Sequence, residues 1–342
     1  MLVLGLESTC DETAAAVVED GRRVLSNVVA SQTELHAKYR GVVPEIASRA
    51  HIENLLPVLR ESLDGAGVSL DRVDAVAVAH RPGLIGSLLI GVTAAKALAW
   101  SLGKPLIGVD HVHAHLYSVM LNGRDVPGFP AVGLVVSGGH TALYDVKGWL
   151  DVRLIGSTID DAVGEAYDKV AALLGLGYPG GPILDRLAAE GDAKAVAFPR
   201  SLMGRESLDF SFSGLKTAVL YEVYGVPARG QSLPERPPEM SRQRLADLAA
   251  SFQAACVDVV VKKVKRAIRR IGAKAVIVGG GVSANRGLRA AMASLGLTVQ
   301  FPAMEYCTDN AAMSAGLGYV HLAAGQRSGL ELDAVTSSRF LE

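Results

Sequence analysis

The sequence predicts an α/β protein built from two lobes, and three observations carry that prediction. Its 342 residues are more than one ordinary core organises. Strand-like and helix-like segments alternate along most of the chain. A strand, a polar turn and a second strand open the chain, and the same arrangement starts again at Ala131. The expected lobes are residues 1–126 and 127–342, the second with inserted helices and a loop at 225–241.

In chain order, Leu2–Leu6, Thr13–Val18 and Arg23–Val29 read as short strands, the first two joined by the polar turn Glu7–Glu12. Ala50–Leu63 has helical periodicity, with Leu55, Leu56, Leu59 and Leu63 on one face. Asp74–Ala79 reads as a strand, Leu84–Leu102 as a largely buried helix, Pro105–Val109 as a strand and His111–Met120 as a helix. The second lobe opens with Ala131–Val136, the turn Ser137–Thr141, Ala142–Val146 and a third strand at Trp149–Ile155. Helices follow at Asp161–Leu174, Ile183–Glu190 and Arg242–Ile271, then a strand at Ala275–Val278. A helix at Arg286–Leu295, a strand at Leu297–Phe301 and a helix from Asn310 complete the pattern. Two phosphate-sized turns facing each other across a cleft could grip a phosphate chain from both sides with backbone N–H groups. Segment 225–241 holds Pro227, Pro234, Pro237 and Pro238 among polar residues, which predicts a mobile loop.

Composition narrows the function classes. Hydrophobic residues at 49% and charged ones at 20% suit a globular chain. A net charge of −1 means that any nucleic-acid contact must come from a local basic patch. The three cysteines, Cys10, Cys256 and Cys307, are scattered, which fits neither a disulfide framework nor a CxxC metal site. The apolar start runs straight into Asp11 and Glu12, so it reads as a strand and not a signal peptide. No window offers the ~18 uncharged apolar residues of a membrane span. The expectation is a cytoplasmic protein without a membrane partner.

Several motifs carry chemistry. His111 and His115 lie four apart, about 40° apart around a helix, and with a distant carboxylate could hold a divalent metal. Surface histidines would show the same spacing. Val112 stands where a zinc protease needs its glutamate, which argues against proteolysis. Asp309 precedes an apolar helix, so it is either that carboxylate or a helix N-cap, unless Thr308 takes the cap. Asp11 and Glu12 could hold a metal–phosphate or accept a proton. Ser137–Thr141 (SGGHT) is a hairpin turn with more donors than a plain hairpin needs, and His140 is a further proton acceptor. Val278–Asn285 (VGGGVSAN) offers close backbone approach to a ligand. Gly175–Gly180 (GLGYPG), with Gly181, could wall a ribose, and Asp168 and Asp185 could accept its hydroxyls. Lys262, Lys263, Lys265, Arg266, Arg269 and Arg270 could meet a phosphate backbone, although cations also suit a helix C-terminus.

Taken together, Glu7–Thr13 (ESTCDET), Arg40–His51 (RGVVPEIASRAH), the His111/His115 pair, Val135–Thr141 (VVSGGHT) and Asp160–Gly175 (DDAVGEAYDKVAALLG) resemble one family. Tyr178–Pro182 (YPGGP), Asp209–Thr217 (DFSFSGLKT), Gly279–Arg286 (GGGVSANR) and Glu305–Met313 (EYCTDNAAM) continue the match. That family is the tRNA threonylcarbamoyladenosine transferases, of the bacterial branch. The resemblance implies an actin-like ATPase, sugar-kinase-like fold. It implies transfer of a threonylcarbamoyl group from threonylcarbamoyl-adenylate to the exocyclic amine of the adenosine beside the anticodon, releasing AMP. By the same resemblance His111, His115 and Asp309 match metal ligands, with iron as the family metal and zinc as a chemically acceptable one. Val135, Val136, Ser137, Gly138, Gly139, Asp168, Gly181, Asp185 and Asn285 match nucleotide-substrate positions. The implied partners are tRNA, a degenerate paralogue (TsaB-like) and a P-loop ATPase (TsaE-like). One departure is Arg81, in His80-Arg81-Pro82-Gly83, where many relatives carry glycine; it must adopt an ordinary φ unless that turn is shaped differently. The rival classes are a sugar kinase on the same fold, a metalloprotease and a noncatalytic actin-like scaffold.

Overall fold

The computed structural model describes residues 1–337 apart from Arg40, Arg124, Leu202, Met203, Arg205, 227–233, Glu235 and Arg236. Most of the expected loop at 225–241 therefore lies outside the described residues. The chain forms two compact units. One comprises Met1–Val126, Lys147–Val152 and Phe301–Glu342, and the other Pro127–Val146 and Arg153–Gln300. This corrects the sequence division, which placed everything after residue 126 in the second lobe.

The first unit holds β1 (Leu2–Glu7), β2 (Glu12–Glu19), β3 (Arg23–Ser31), β4 (Ala75–Arg81) and β5 (Leu106–Asp110) in the order β3-β2-β1-β4-β5. β1 pairs antiparallel with β2 and parallel with β4. Its helices are α1 (Thr33–Ala37), α2 (Pro44–Ala66), α3 (Ile85–Leu102), α4 (His111–Tyr117) and α10 (Ala311–Ala323). Helices on both faces explain why β1 and β4 read as apolar runs instead of alternating. On one face α2 and α3 bury Val58, Leu59, Leu88 and Val92 against Leu4, Leu6, Val76 and Val78. Pro57 sits inside α2, a cost of ~3 kcal/mol. Burying Leu55, Val58 and Leu59 at roughly 1.5–3 kcal/mol each offsets it. α10 covers the other face. It comes so close to β1 that a side chain at Gly5 would overlap the Ala311 carbonyl oxygen and lie 2.9 Å from the Ala315 nitrogen. That close packing returns the C-terminal segment to the first unit. Beyond α10, the chain covers the edge of the sheet, with Ser328 N–H donating to Leu106 O at 2.8 Å and Val335 N–H to His80 O at 2.9 Å.

The second unit repeats the topology. β6 (Ala131–Val136), β7 (Thr141–Gly148), β8 (Asp151–Ser157), β9 (Ala275–Gly279) and β10 (Thr298–Gln300) run in the order β10-β9-β6-β7-β8. β6 takes the place of β1, antiparallel to β7 and parallel to β9. Its helices are α5 (Val163–Leu173), α6 (Gly180–Ala188), α7 (Ser213–Tyr224), α8 (Arg242–Ile271) and α9 (Arg286–Ala293). α8 has the bounds that the sequence predicts. Ser241 Oγ caps it by accepting from Arg244 N–H at 3.2 Å, and Gly272 ends it in a left-handed turn. α1 and α7 were not foreseen.

One helix among the described residues, α3, is long and apolar enough to cross a membrane, with a mean hydropathy of 1.5. The stricter sequence criterion missed it because Lys96 interrupts the run. Its Leu88, Val92, Ala95 and Ala99 face belongs to the sheet core. Arg81 is outside the left-handed region, and its Nε lies 3.3 Å from the Asp110 carboxylate.

Candidate metal centre and nucleotide ring

The metal-type cluster lies wholly within the first unit. β5 runs directly into α4, and the hinge residue Asp110 is the N-cap. Its Oδ1 accepts from Val112 N–H at 2.9 Å and His113 N–H at 3.1 Å. The helix thus begins at His111, which puts His111 and His115 one turn apart with ring centroids 4.6 Å from each other. α10 is capped by Asn310, whose Oδ1 accepts from Met313 N–H at 3.1 Å. Neither Thr308 nor Asp309 serves as the cap, and the Asp309 carboxylate turns to the histidines. Asp309 Oδ1 is 3.0 Å from His115 Nε2 and 3.7 Å from His111 Nε2. One ligand atom from each of the three lies within 4.8 Å of the others. Ligand pairs on a tetrahedral ion with ~2.0–2.1 Å bonds sit about 3.3 Å apart, close to the 3.0 and 3.7 Å separations of Asp309 Oδ1 from the two imidazole nitrogens, so the donor set suits a divalent ion.

Behind the cluster is a buried polar layer that the sequence reading did not single out. Glu7 Oε2 is 3.1 Å from His111 Nδ1, and Thr9 Oγ1 is 3.2 Å from the same nitrogen. Thr9 N–H donates to Glu7 Oε1 at 2.8 Å, and Ser314 Oγ donates to Glu7 Oε2 at 3.3 Å. Burial opposes a charge on His111, but the Glu7 and Asp309 carboxylates outweigh it and push its pKa up to about 9.

Asp11 and Glu12 lie in the turn beside this cluster. Glu12 opens β2, with Ser31 Oγ donating to its Oε1 at 3.4 Å. Burial, then the charges of Asp309 and Asp11, hold its carboxyl well above the ordinary range. Two helices pin the turn. His51 Nε2 meets Cys10 O at 3.0 Å and Ser87 Oγ donates to the same oxygen at 3.3 Å. Ser8 Oγ answers by donating to Ser87 O at 2.9 Å. Burial, Asp11 and Asp309 together push the Cys10 thiol up, so it stays protonated.

The residues expected at a nucleotide form a closed circuit within the second unit. The β6–β7 turn is held by Ser137 N–H donating to His140 O at 2.8 Å and His140 N–H donating to Ser137 Oγ at 3.0 Å. The Ser137 amide is thereby engaged, and Gly138 and Gly139 are exposed. Ser137 O accepts from Gly164 N–H at 3.1 Å, which joins the turn to the start of α5. Asp168, one helical turn on, accepts from Gly180 N–H at 2.7 Å and so ties α5 to α6. Gly181 is the second residue of α6, with open space where a side chain would be. Asp185 binds Arg286 through Nε at 2.8 Å and through its backbone N–H at 3.2 Å. Asn285 caps α9 by accepting from Leu288 N–H at 2.8 Å, and its Nδ2 donates to Gln253 at 2.7 Å. Gly280, at φ +89°, closes the circuit: a Cβ there would overlap Val136 O. Val135 and Val136 end β6, and Val136, Tyr167, Val282 and Asn285 line a small apolar cavity. Gln253 and Arg286 are thus parts of the ring that sequence patterns missed. Asp168, Asp185 and Asn285 already carry structural bonds, so any ligand shares them.

The basic end of α8 divides in two. Lys263 is buried and donates to Ser207 O at 2.8 Å. Arg266 donates to Gly204 O at 2.9 Å and to Ser207 O at 3.2 Å. Lys262, Lys265, Arg269 and Arg270 are exposed.

Comparison with known proteins adds the following. Residues 23–316 match the family model "TsaD: tRNA N6-adenosine threonylcarbamoyltransferase". The tRNA N6-adenosine threonylcarbamoyltransferase of Symbiobacterium thermophilum is 53% identical over 338 residues, covering 98% of this chain and 95% of that protein. Among solved structures, HypF of T. kodakarensis aligns with a TM-score of 0.59 at 16% identity, over 98% of this chain and 49% of its own. Component A of the Acidaminococcus fermentans (R)-2-hydroxyglutaryl-CoA dehydratase aligns with a TM-score of 0.52 at 15% identity, over 94% of this chain and 99% of its own. The two structural likenesses speak to the fold alone, which is the actin-like arrangement of duplicated α/β units.

Proposed function

We propose that this chain, which belongs to the tRNA N6-adenosine threonylcarbamoyltransferase family, transfers a threonylcarbamoyl group from threonylcarbamoyl-adenylate to the exocyclic amine of the adenosine beside the anticodon. The observation that carries this reading is the near full-length identity to a relative of that name. The His111–His115–Asp309 cluster supports the metal-dependent form of the reaction. A sugar kinase or a bare scaffold would account for neither; a metalloprotease would account for the cluster but not for the relative, and Val112 stands where it needs its glutamate.

The roles divide between the units. In the second, Gly138 and Gly139 are exposed at the β6–β7 turn, and their backbone N–H groups would suit an anionic phosphate or the charge that builds on a carbamoyl oxygen. Val136, Asp168, Gly181, Asp185 and Asn285 complete the adenylate-binding ring. In the first unit, a divalent metal at His111, His115 and Asp309, iron or zinc, would supply Lewis acidity toward phosphate or carbamoyl oxygens. The amine nitrogen forms its bond to the carbamoyl carbon as the bond from that carbon to the phosphate oxygen breaks, and AMP departs with the electron pair. The amine proton passes to a base, for which Asp11, Glu12 and His140 are the candidates. Burial, then the charges of Asp309 and Asp11, hold the Glu12 carboxyl above its ordinary range, which favours it as a proton acceptor.

The implied protein partners, a degenerate paralogue and a P-loop ATPase, need a docking face. α2 and α3, packed side by side, expose Ile52, Leu56, Ile85, Leu89 and Trp100, the kind of apolar surface that a partner covers. We place the activity in the cytoplasm, with its tRNA.

The test is a turnover assay with threonylcarbamoyl-adenylate and unmodified tRNA, with and without those partners. The expected result is modified tRNA and stoichiometric AMP, both lost in Asp309→Ala. No product under either condition would overturn the activity. Full activity and retained metal in Asp309→Ala would overturn the metal assignment alone.

A further inference from the structure

We propose that Glu7 is a positioning residue that fixes the tautomer of His111 and thereby sets how tightly the His111–His115–Asp309 cluster holds a divalent cation; this rests on the metal reading above. Glu7 ends β1 and is fully buried. Its two oxygens face different donors. Oε1 accepts from Thr9 N–H at 2.8 Å, while Oε2 faces His111 Nδ1 at 3.1 Å and accepts from Ser314 Oγ at 3.3 Å.

A carboxylate oxygen only accepts, so Nδ1 carries the hydrogen on that side of the ring. The lone pair of neutral His111 is then on Nε2, the nitrogen 3.7 Å from Asp309 Oδ1. Thr9 Oγ1, 3.2 Å from Nδ1, can also accept and does not oppose this assignment. A carboxylate behind a ligating imidazole holds the ring's orientation and raises its basicity toward the ion. Packing alone would not call for Glu7. Leu4 and Leu6 of the same strand are equally buried, and an ionised group is costly to bury unless strong donors meet it.

Glu7→Gln tests the idea with almost no change in volume. The Thr9 N–H is a fixed donor, so the amide oxygen must face it, and the amide NH2 then faces His111 Nδ1. That nitrogen is forced to accept, the hydrogen moves to Nε2, and the lone pair leaves the cation site. The experiment titrates zinc into the metal-free full chain against a chromophoric chelator, for wild type and Glu7→Gln, beside thermal melts of both metal-free proteins. The expected result is zinc binding weakened about 10–100-fold; the metal-free melt should fall as well, because the buried Glu7–His111 pair is lost there too, so the melt serves to show that the variant still folds and the tautomer readout separates positioning from packing. Nitrogen-15 NMR of the zinc-loaded wild type gives an independent readout that survives if Glu7→Gln fails to fold. His111 should be protonated at Nδ1 and coordinated through Nε2. Unchanged zinc affinity in Glu7→Gln, or coordination through Nδ1, would overturn the proposal and leave the metal reading standing. A wild type that binds no zinc would overturn the metal reading, and the proposal with it.

Discussion

Replacing Gly5 with alanine tests whether the contact between β1 and α10 is what delivers Asp309 to the histidines. The new Cβ would overlap the Ala311 carbonyl oxygen and stand 2.9 Å from both the nitrogen and the Cβ of Ala315. Ordinary contacts between such atoms are about 3.5–4.0 Å, so relieving the Ala311 overlap requires α10 to retreat by more than about 1 Å from the sheet. The obstructing atoms are mostly helix backbone, which cannot turn aside as a flexible side chain can. Overpacking of this kind costs about 1–3 kcal/mol, and the upper half of that range is expected here. Ala311 is two residues from Asp309, whose Oδ1 lies 3.0 Å from His115 Nε2. Metal–ligand distances tolerate only about ±0.2 Å, so displacement on this scale should also weaken zinc binding by tenfold or more, about 1.4 kcal/mol. Gly65→Ala is the matched contrast. That glycine is exposed on α2, and its new Cβ would meet only Ser26 Cβ at 3.7 Å, so the helix should gain about 0.5–1 kcal/mol. The assays are urea unfolding of the metal-free proteins and zinc titration against a chelator. A Gly5→Ala protein of wild-type stability and wild-type zinc affinity would refute the claim that this contact sets the cluster.

Further expectations follow from other elements. Gly280→Ala, at φ +89° and against Val136, should cost about 1–2 kcal/mol for the left-handed backbone alone; AMP calorimetry should show weaker binding while zinc affinity is unchanged. Asp110→Ala removes the cap of α4 and the partner of Arg81, a loss of about 1–2 kcal/mol in urea unfolding. Reversing Lys262, Lys265, Arg269 and Arg270 to glutamate should weaken tRNA binding and flatten its dependence on salt, with AMP affinity unaltered; an unchanged salt slope would mean that these cations are only a solvated face.

β1, β4, β6 and β9 were legible because each is an apolar run bounded by turn residues, and β6 (Ala131–Val136) matches its expected limits. α8 was legible at both ends because Ser241 and Gly272 mark them. α7 was missed because its buried residues are few, Leu215 and Val219, and the rest of its apolar side chains are spread around the helix. α1, at five residues, is too short to show a period. The histidine pair was visible because two residues four apart on a helix need no tertiary knowledge. The choice between Asp309 as cap and as ligand was not visible, since it turned on Asn310 taking the cap. Glu7 gave a weaker signal still. A carboxylate at a strand end usually reads as the edge of the sheet in water, and only the packing of α4 and α10 makes it an interior group.

The duplication also shows how one backbone plan is turned to two kinds of chemistry. In both units the central strand runs into a tight turn and returns antiparallel, as β1–β2 and as β6–β7. In the first unit the turn carries acids, and His51 and Ser87 bind its Cys10 carbonyl from the covering helices. Its two carboxyls thus stand in a half-buried place, where burial and the nearby Asp309 raise the Glu12 carboxyl. In the second unit the same turn carries Gly138 and Gly139, with open space around both. Their backbone can approach a ligand that no side chain could reach, and the N–H groups there favour an anion. Topology fixes where each turn lies; the chemistry open to it is set by the few side chains it carries, and by their absence.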